Sequence, residues 1–250
     1  MLKKWLIGKT PIVIMYHSIG HPGGFSNISE KRFEEHVRWI SRNCKVVEID
    51  DILPISGNKK KVALTFDDGL SSFYENAIPI IKKYNLPATL FILSEMVKKN
   101  TKPKTKRIIK ERLSTPEEIM GREEIFEIKK EKKITIGSHT ATHPKLPKLE
   151  SEKDVIEEVK GSKVDIENEM DVDITCFSYP HSKYDVRSHR AVSEVYLNAV
   201  RGGGETSVID SDTRPCLIPR VNGACSLNQI KATIFDAVST NNRILQKWID

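Results

Sequence analysis

The run Lys61-Val62-Ala63-Leu64-Thr65-Phe66-Asp67-Asp68-Gly69 decides the architecture. Val62 to Phe66 is apolar or β-branched throughout, the mark of a strand buried on both faces, as in a parallel sheet. Similar runs recur at residues 11–16, 45–49, 88–93, 133–138, 174–179, 197–201 and 216–221. Segments of helical period lie between them. Ser29 can cap a helix with the apolar face Phe33, Val37 and Ile40. Phe73, Ala77, Ile80 and Tyr84 make a second face, and Val155, Val159 and Ile166 contribute to a third. Repeated strand–helix alternation implies right-handed parallel crossovers, hence an α/β barrel or an open doubly wound sheet. Eight strands in 250 residues favour the barrel. With no solenoid repeat and no Pro/Gly/Ser linker, one domain over 1–250 is expected.

Composition excludes several classes. The chain is 38% hydrophobic and 30% charged, which is ordinary for a globule and unlike a disordered or fibrous protein. No apolar stretch approaches the roughly 18 residues of a transmembrane segment. The N-terminal Lys9, Thr10 and Pro11 break the only leader-like run, so the expectation is a cytoplasmic protein. Cys44, Cys176, Cys216 and Cys225 lack C-x-x-C spacing and read as thiols rather than metal ligands. Much of the net charge of +6 comes from residues 98–112, where eight Lys or Arg face one acid, Glu111. This stretch reads as a basic loop insertion, a solvated surface or a contact for an anionic partner. No aromatic is interleaved with its charges, so nucleic acid is not expected as a partner. Gly202-Gly203-Gly204 reads as a turn, His21, His36 and His189 as surface residues, and Trp5, Trp39 and Trp248 as packing.

Chemistry concentrates where strands end. Adjacent Asp67 and Asp68 repel each other at a strand terminus and suit either a turn or a cation site. His139-Thr140-Ala141-Thr142-His143-Pro144 closes the strand at 133–138. Pro144 disfavours helix at His143, so the two imidazoles sit on a loop. One carboxylate and two imidazoles make a common three-ligand set for a divalent metal, zinc first and cobalt or nickel also fitting. A second carboxylate is left over as a base. Both segments fall at the C-terminal ends of parallel strands, the face where barrel active sites assemble.

Thr65-Phe66-Asp67-Asp68-Gly69, the His139–His143 motif and Phe177-Ser178-Tyr179-Pro180-His181-Ser182 together resemble the polysaccharide deacetylase family, carbohydrate esterase family 4. Tyr16-His17-Ser18-Ile19 and Phe33-Glu34-Glu35-His36 are similar to its branch acting on surface and biofilm polysaccharides. The resemblance implies a distorted (β/α) barrel of seven or eight strands and metal-dependent removal of the acetyl group from an N-acetylhexosamine unit. That unit would belong to a polysaccharide or to a nucleotide- or lipid-linked precursor. The resemblance also implies Asp67 as base, Asp68, His139 and His143 as metal ligands, and the backbone N–H of His181 as oxyanion donor. Ser178 stands where the family has an arginine, and 217–220 lacks its Leu-x-His. His17, which ends the first strand, and Arg220 are the expected replacements, as acid and as the group steadying Asp67. A metal amidase for a non-sugar amide and a catalytically silent carbohydrate-binding relative are the alternatives.

Overall fold

The computed structural model describes residues 10–23, 26–53, 59–203 and 209–235. Its strands are β1 (Ile12–Tyr16), β2 (Lys45–Val46), β3 (Lys61–Phe66), β4 (Ala88–Ile92), β5 (Ile134–Ser138), β6 (Cys176–Ser178), β7 (Asn198–Arg201) and β8 (Ile218–Asn222). All pair in parallel. Because β1 bonds both β3 and β8, seven strands close on themselves, and the two-residue β2 joins the start of β3. Closure excludes the open sheet: this is a distorted (β/α) barrel.

Side chains alternate across each strand. Ile12, Ile14 and Tyr16 of β1, with Val62, Leu64 and Phe66 of β3, face outward into the core shared with the helices. Val13, Ala63, Phe91, Cys176, Val200 and Ile218 face inward, and Val47, Ile49 and Ile52 pack with them. Gly137 belongs to this inner layer; a Cβ there would lie 2.6 Å from Phe91 Cδ1, so the phenyl ring fills the space a side chain would need. Continuing the inward parity brings His17, Asp67, His139, Ser178 and Arg220 to one end of the lumen. Register does the rest. Tyr16 pairs with Phe66, so His17 and Asp67 leave the barrel side by side. Outside them Tyr16 stacks on Phe66 at 5.3 Å, and Phe66 meets Phe73 at 4.7 Å between centroids. Burying each of these rings contributes about 1.5–3 kcal/mol, which fixes the strand ends that carry the site.

Helix α1 (Glu30–Asn43) starts at Ser29, whose hydroxyl accepts from the Arg32 N–H at 3.4 Å. It buries Phe33, Val37 and Ile40 as read, and also His36, which is 0% exposed rather than a surface residue. A π-turn at Phe73–Ala77 precedes α2 (Ile78–Lys83). Its extra residue per turn widens the buried face: Ile78 and Ile81 are buried, and the expected Ile80 and Tyr84 pack part-buried on the same core. The basic run is not a loop: Pro103, at the first helical position, opens α3 (Pro103–Leu113). After α4 (Arg122–Ile128), a second π-turn at Glu157–Gly161 joins α5 (Glu152–Ile156) to α6 (Ser162–Met170). Helices α7 (Val186–Val195) and α8 (Leu227–Phe235) complete the surround. Among the described residues no helix is long and apolar enough to cross a membrane. Trp39 packs part-buried on the core, whereas Trp5, Trp248 and Gly204 lie outside the described residues.

Candidate active site and metal centre

Asp67 and Asp68 follow β3 directly, yet their surroundings differ. Asp67 keeps the inward direction of the strand. Arg220 Nη1 donates to Asp67 Oδ1 at 2.7 Å and Nη2 to Oδ2 at 2.6 Å. This bidentate fork adds geometric specificity to charge. Arg220 also donates to Thr65 Oγ1 at 3.2 Å and Ser178 Oγ at 3.0 Å, and the Ser178 hydroxyl donates to Asp67 Oδ2 at 3.3 Å. The small side chain at 178 thus completes the network around a guanidinium that arrives from β8. His17 Nε2 stands 4.0 Å from Asp67 Oδ2.

Asp68 breaks from the strand at φ +73°, and Gly69 follows at +61°. A Cβ on Gly69 would meet Met96 Cε at 2.6 Å, so the turn admits glycine alone without rearrangement. The turn aims Asp68 Oδ1 at His139 Nε2 and His143 Nε2, 3.3 and 3.4 Å away. His139 Nδ1 donates to the Ser178 carbonyl at 2.7 Å, which assigns its proton and leaves the Nε2 lone pair facing Asp68. Positive φ at Thr140 (+71°), His143 (+60°), His181 (+53°) and Ser182 (+57°) concentrates backbone strain at this rim. Each such residue costs on the order of 1 kcal/mol or more and persists only where the surroundings hold it.

Glu158, on the second π-turn, is one holder that sequence reasoning missed. Its carboxylate accepts from the Ala141 and Thr142 N–H groups, both at 2.9 Å, and from the Thr142 hydroxyl. Arg112 donates to the Thr142 carbonyl at 2.9 Å and to its hydroxyl. The His143 N–H donates to Thr140 Oγ1 at 3.0 Å. His181, at an exposed turn, brings its ring to 4.5 Å from that of His143. A glutamate within Glu-Glu-Val-Lys-Gly looks like any solvated helix residue, so only the fold reveals its partners.

Electrostatics separates the two aspartates further. Burial would raise both carboxyls. For Asp67 the charge of Arg220 outweighs burial and holds the group below the usual carboxylate range. For Asp68 the two imidazoles of His139 and His143 beside it outweigh burial and likewise hold the group below the usual carboxylate range. Burial pushes His143 down to about 3 and lowers His17 against the pull of Asp68 and Asp67. For His139 burial is overcome by the negative charges of Asp67 and Asp68, and its pKa is raised.

Asp68, His139 and His143 offer ligand atoms all within 4.8 Å of one another. Asp68 Oδ1 is buried with no hydrogen-bond partner among the described residues. A buried charged oxygen costs several kcal/mol unless paired, and a divalent cation between it and two imidazole lone pairs removes that cost. One oxygen and two nitrogens therefore fit a divalent metal with an open position.

Residues 55–200 match the polysaccharide deacetylase family, and the chain belongs to it. It is 29% identical over 192 residues to YxkH of Bacillus subtilis, covering 74% of this chain and 61% of YxkH. It is 36% identical over 73 residues to the poly-beta-1,6-N-acetyl-D-glucosamine N-deacetylase of Staphylococcus aureus strain MSSA476, covering 27% of this chain and 25% of that enzyme. The chain thus spans less than two thirds of the length of either. A polysaccharide deacetylase from Bacillus cereus has the same fold, with a TM-score of 0.72 at 22% identity over 90% of this chain and 69% of that one. IcaB from Ammonifex degensii has it too, with a TM-score of 0.71 at 18% identity over 90% of this chain and 97% of that one.

Proposed function

From this family membership and the site, we propose that the protein hydrolyses the acetamide of an N-acetylhexosamine unit in a polysaccharide or its precursor, releasing acetate and a free amine. The observation that carries the reading is the Asp68–His139–His143 group beside the Asp67–Arg220 pair at one mouth of the barrel. Asp68, His139 and His143 would hold a divalent metal, with zinc best matched to the donor set and cobalt or nickel also fitting. When bound, the metal supplies Lewis-acid stabilisation of the acyl oxygen as charge develops there.

The remaining roles fall to this chain's own residues. Asp67 accepts a proton from the attacking water, and the Arg220 fork fixes which carboxylate edge faces the substrate. The His181 N–H donates to the developing oxyanion. His17 gives its proton to the departing amine nitrogen. The proton taken by Asp67 balances the one given by His17, and exchange through water resets the pair. Acetate release from an N-acetylglucosamine oligosaccharide, with and without added divalent metal, tests the reading. Metal-stimulated release is expected, and absence of release with every metal and sugar acetamide tried would reject it. His17→Ala should lose turnover while keeping metal content and melting temperature; near-normal rates would remove His17 from the mechanism.

A further inference from the structure

Four cations of the basic run at 98–112 are committed to other groups. Lys98 pairs with Glu95 and Asp165, Arg107 with Glu111, and Lys110 with Glu118. Arg112 is committed to the Thr142 carbonyl and lies 3.8 Å from Glu158. Uncompensated charge beside the site lies just past the second histidine, in Pro144-Lys145-Leu146-Pro147-Lys148. Here a 3₁₀ turn covers Leu146–Lys148, and the Lys148 N–H donates to the Lys145 carbonyl at 2.8 Å. In such a turn residues three apart eclipse, so Lys145 and Lys148 project to one side. Leu146, 0% exposed, anchors the turn, and Pro144 and Pro147 stiffen it.

Both lysines line a cleft of about 360 Å³ that also contains His143, His181 and Arg112. That volume suits a small ligand or one or two sugar units. Glu111 is its one acid, already paired with Arg107. Two exposed ammonium groups aligned on one rigid turn repel each other. Neither has a carboxylate partner among the described residues.

We propose that this cleft is a subsite for an anionic group, carboxylate or phosphate, carried next to the N-acetylhexosamine, and that Lys145 and Lys148 contact it. The proposal rests on the deacetylase reading and narrows its substrate class. Each turnover converts a neutral acetamide into an amine that is protonated at neutral pH. A neutral homopolymer therefore becomes progressively cationic and is repelled by a cleft of three cations. A substrate with an anionic neighbour is attracted before the reaction and leaves as a near-neutral zwitterion after it.

The test measures kcat/KM for acetate release from three probes: tetra-N-acetylchitotetraose, a tetrasaccharide alternating N-acetylglucosamine and glucuronate, and UDP-N-acetylglucosamine. The second probe presents a carboxylate and the third a phosphate. At least one anionic probe should exceed the neutral one by about tenfold, and Lys145→Gln/Lys148→Gln should erase that advantage while leaving the neutral rate unchanged. Raising salt should erase it likewise. Equal rates on all three probes, unaltered in the double variant, would overturn the subsite while leaving the deacetylase reading intact. If no probe releases acetate, the deacetylase reading fails, and calorimetry of the same probes decides the subsite. Anionic binding lost in the double variant would uphold it, and no binding would overturn it.

Discussion

Two walls of one barrel mouth hold the adjacent carboxylates, and they are built differently. The Asp67 wall is made from strand ends, β1, β3, β6 and β8, with the charge closed inside the protein by the Arg220 fork, Thr65 and Ser178. The Asp68 wall is made from two loops with four residues at positive φ, Asp68, Gly69, Thr140 and His143, and it leaves Asp68 Oδ1 buried without a hydrogen-bond partner among the described residues. The first wall is electrostatically complete as a polypeptide. The second gathers one carboxylate oxygen and two imidazole nitrogens, and external tethers from Glu158 and Arg112 hold its strained backbone. On the proposed roles, the base is held by folding alone, whereas the candidate metal ligands are preorganised at the expense of local strain.

The largest expected effect comes from breaking the second wall. Asp68→Ala, His139→Ala and His143→Ala should each lose bound divalent metal in elemental analysis and lower turnover by about 10³-fold or more, since the ion supplies several kcal/mol. Removing metal from the intact protein with a chelator should have the same effect, reversible on re-addition. Full metal occupancy in either histidine variant would exclude this ligand set.

Breaking the first wall should give a different signature. Asp67→Asn should cost roughly 10²–10⁴ in rate while keeping metal. Arg220→Met should strand a buried carboxylate and cost about 3–5 kcal/mol of stability, with much of that loss recovered in the Arg220→Met/Asp67→Asn double variant. If Asp67→Asn loses metal and Asp68→Asn retains it, the two roles are reversed.

This asymmetry also sets what could be read from the sequence. The strands announced themselves because both of their faces are buried, and continuing their parity inward from Ala63 and Val13 already aims Asp67 and His17 at one centre. Which aspartate meets the histidines was not legible from spacing, because it turns on the φ of Asp68 and on a guanidinium 153 residues away. The helix at Pro103–Leu113 had a signal, proline at a first helical turn, that its charge density obscured. His36 had one too: it lies three residues after Phe33 and four before Ile40, on the buried stripe. Glu158 had none, since its worth lies in reaching backbone N–H groups of a loop 16 residues earlier, from a π-turn that hydrophobic period does not show.

A smaller effect probes the tethers. Glu158→Ala should free the Ala141 and Thr142 N–H groups and let His143 relax out of its positive-φ conformation. The expected result is metal affinity weaker by about tenfold, as for other groups that orient ligands, with a wild-type melting temperature in the metal-free state. Glu158→Gln keeps one acceptor oxygen and should recover part of the affinity. Unchanged affinity in Glu158→Ala would show that the loop holds its own shape.

A last effect lies behind the first wall and should be independent of metal. His36 Nδ1 pairs with the Tyr16 hydroxyl at 3.2 Å, next to His17, and burial with the Arg32 charge pushes its pKa down to about 4. A histidine whose pKa is depressed on folding is held neutral, so between about pH 6.5 and pH 4 the unfolded chain binds a proton that the folded chain refuses. Stability from this residue is therefore fully present above pH 6.5 and is lost as the pH falls towards 4. The loss is up to about 1.4 kcal/mol per pH unit and on the order of 3 kcal/mol in all. Denaturant unfolding of the metal-free protein at pH 7, 5.5 and 4.5 should show this slope. In His36→Gln, which cannot titrate, the stability difference from wild type should shrink steadily as the pH falls. Parallel curves for the two proteins would mean that His36 titrates alike in both states, and that this wall owes nothing to a buried neutral imidazole.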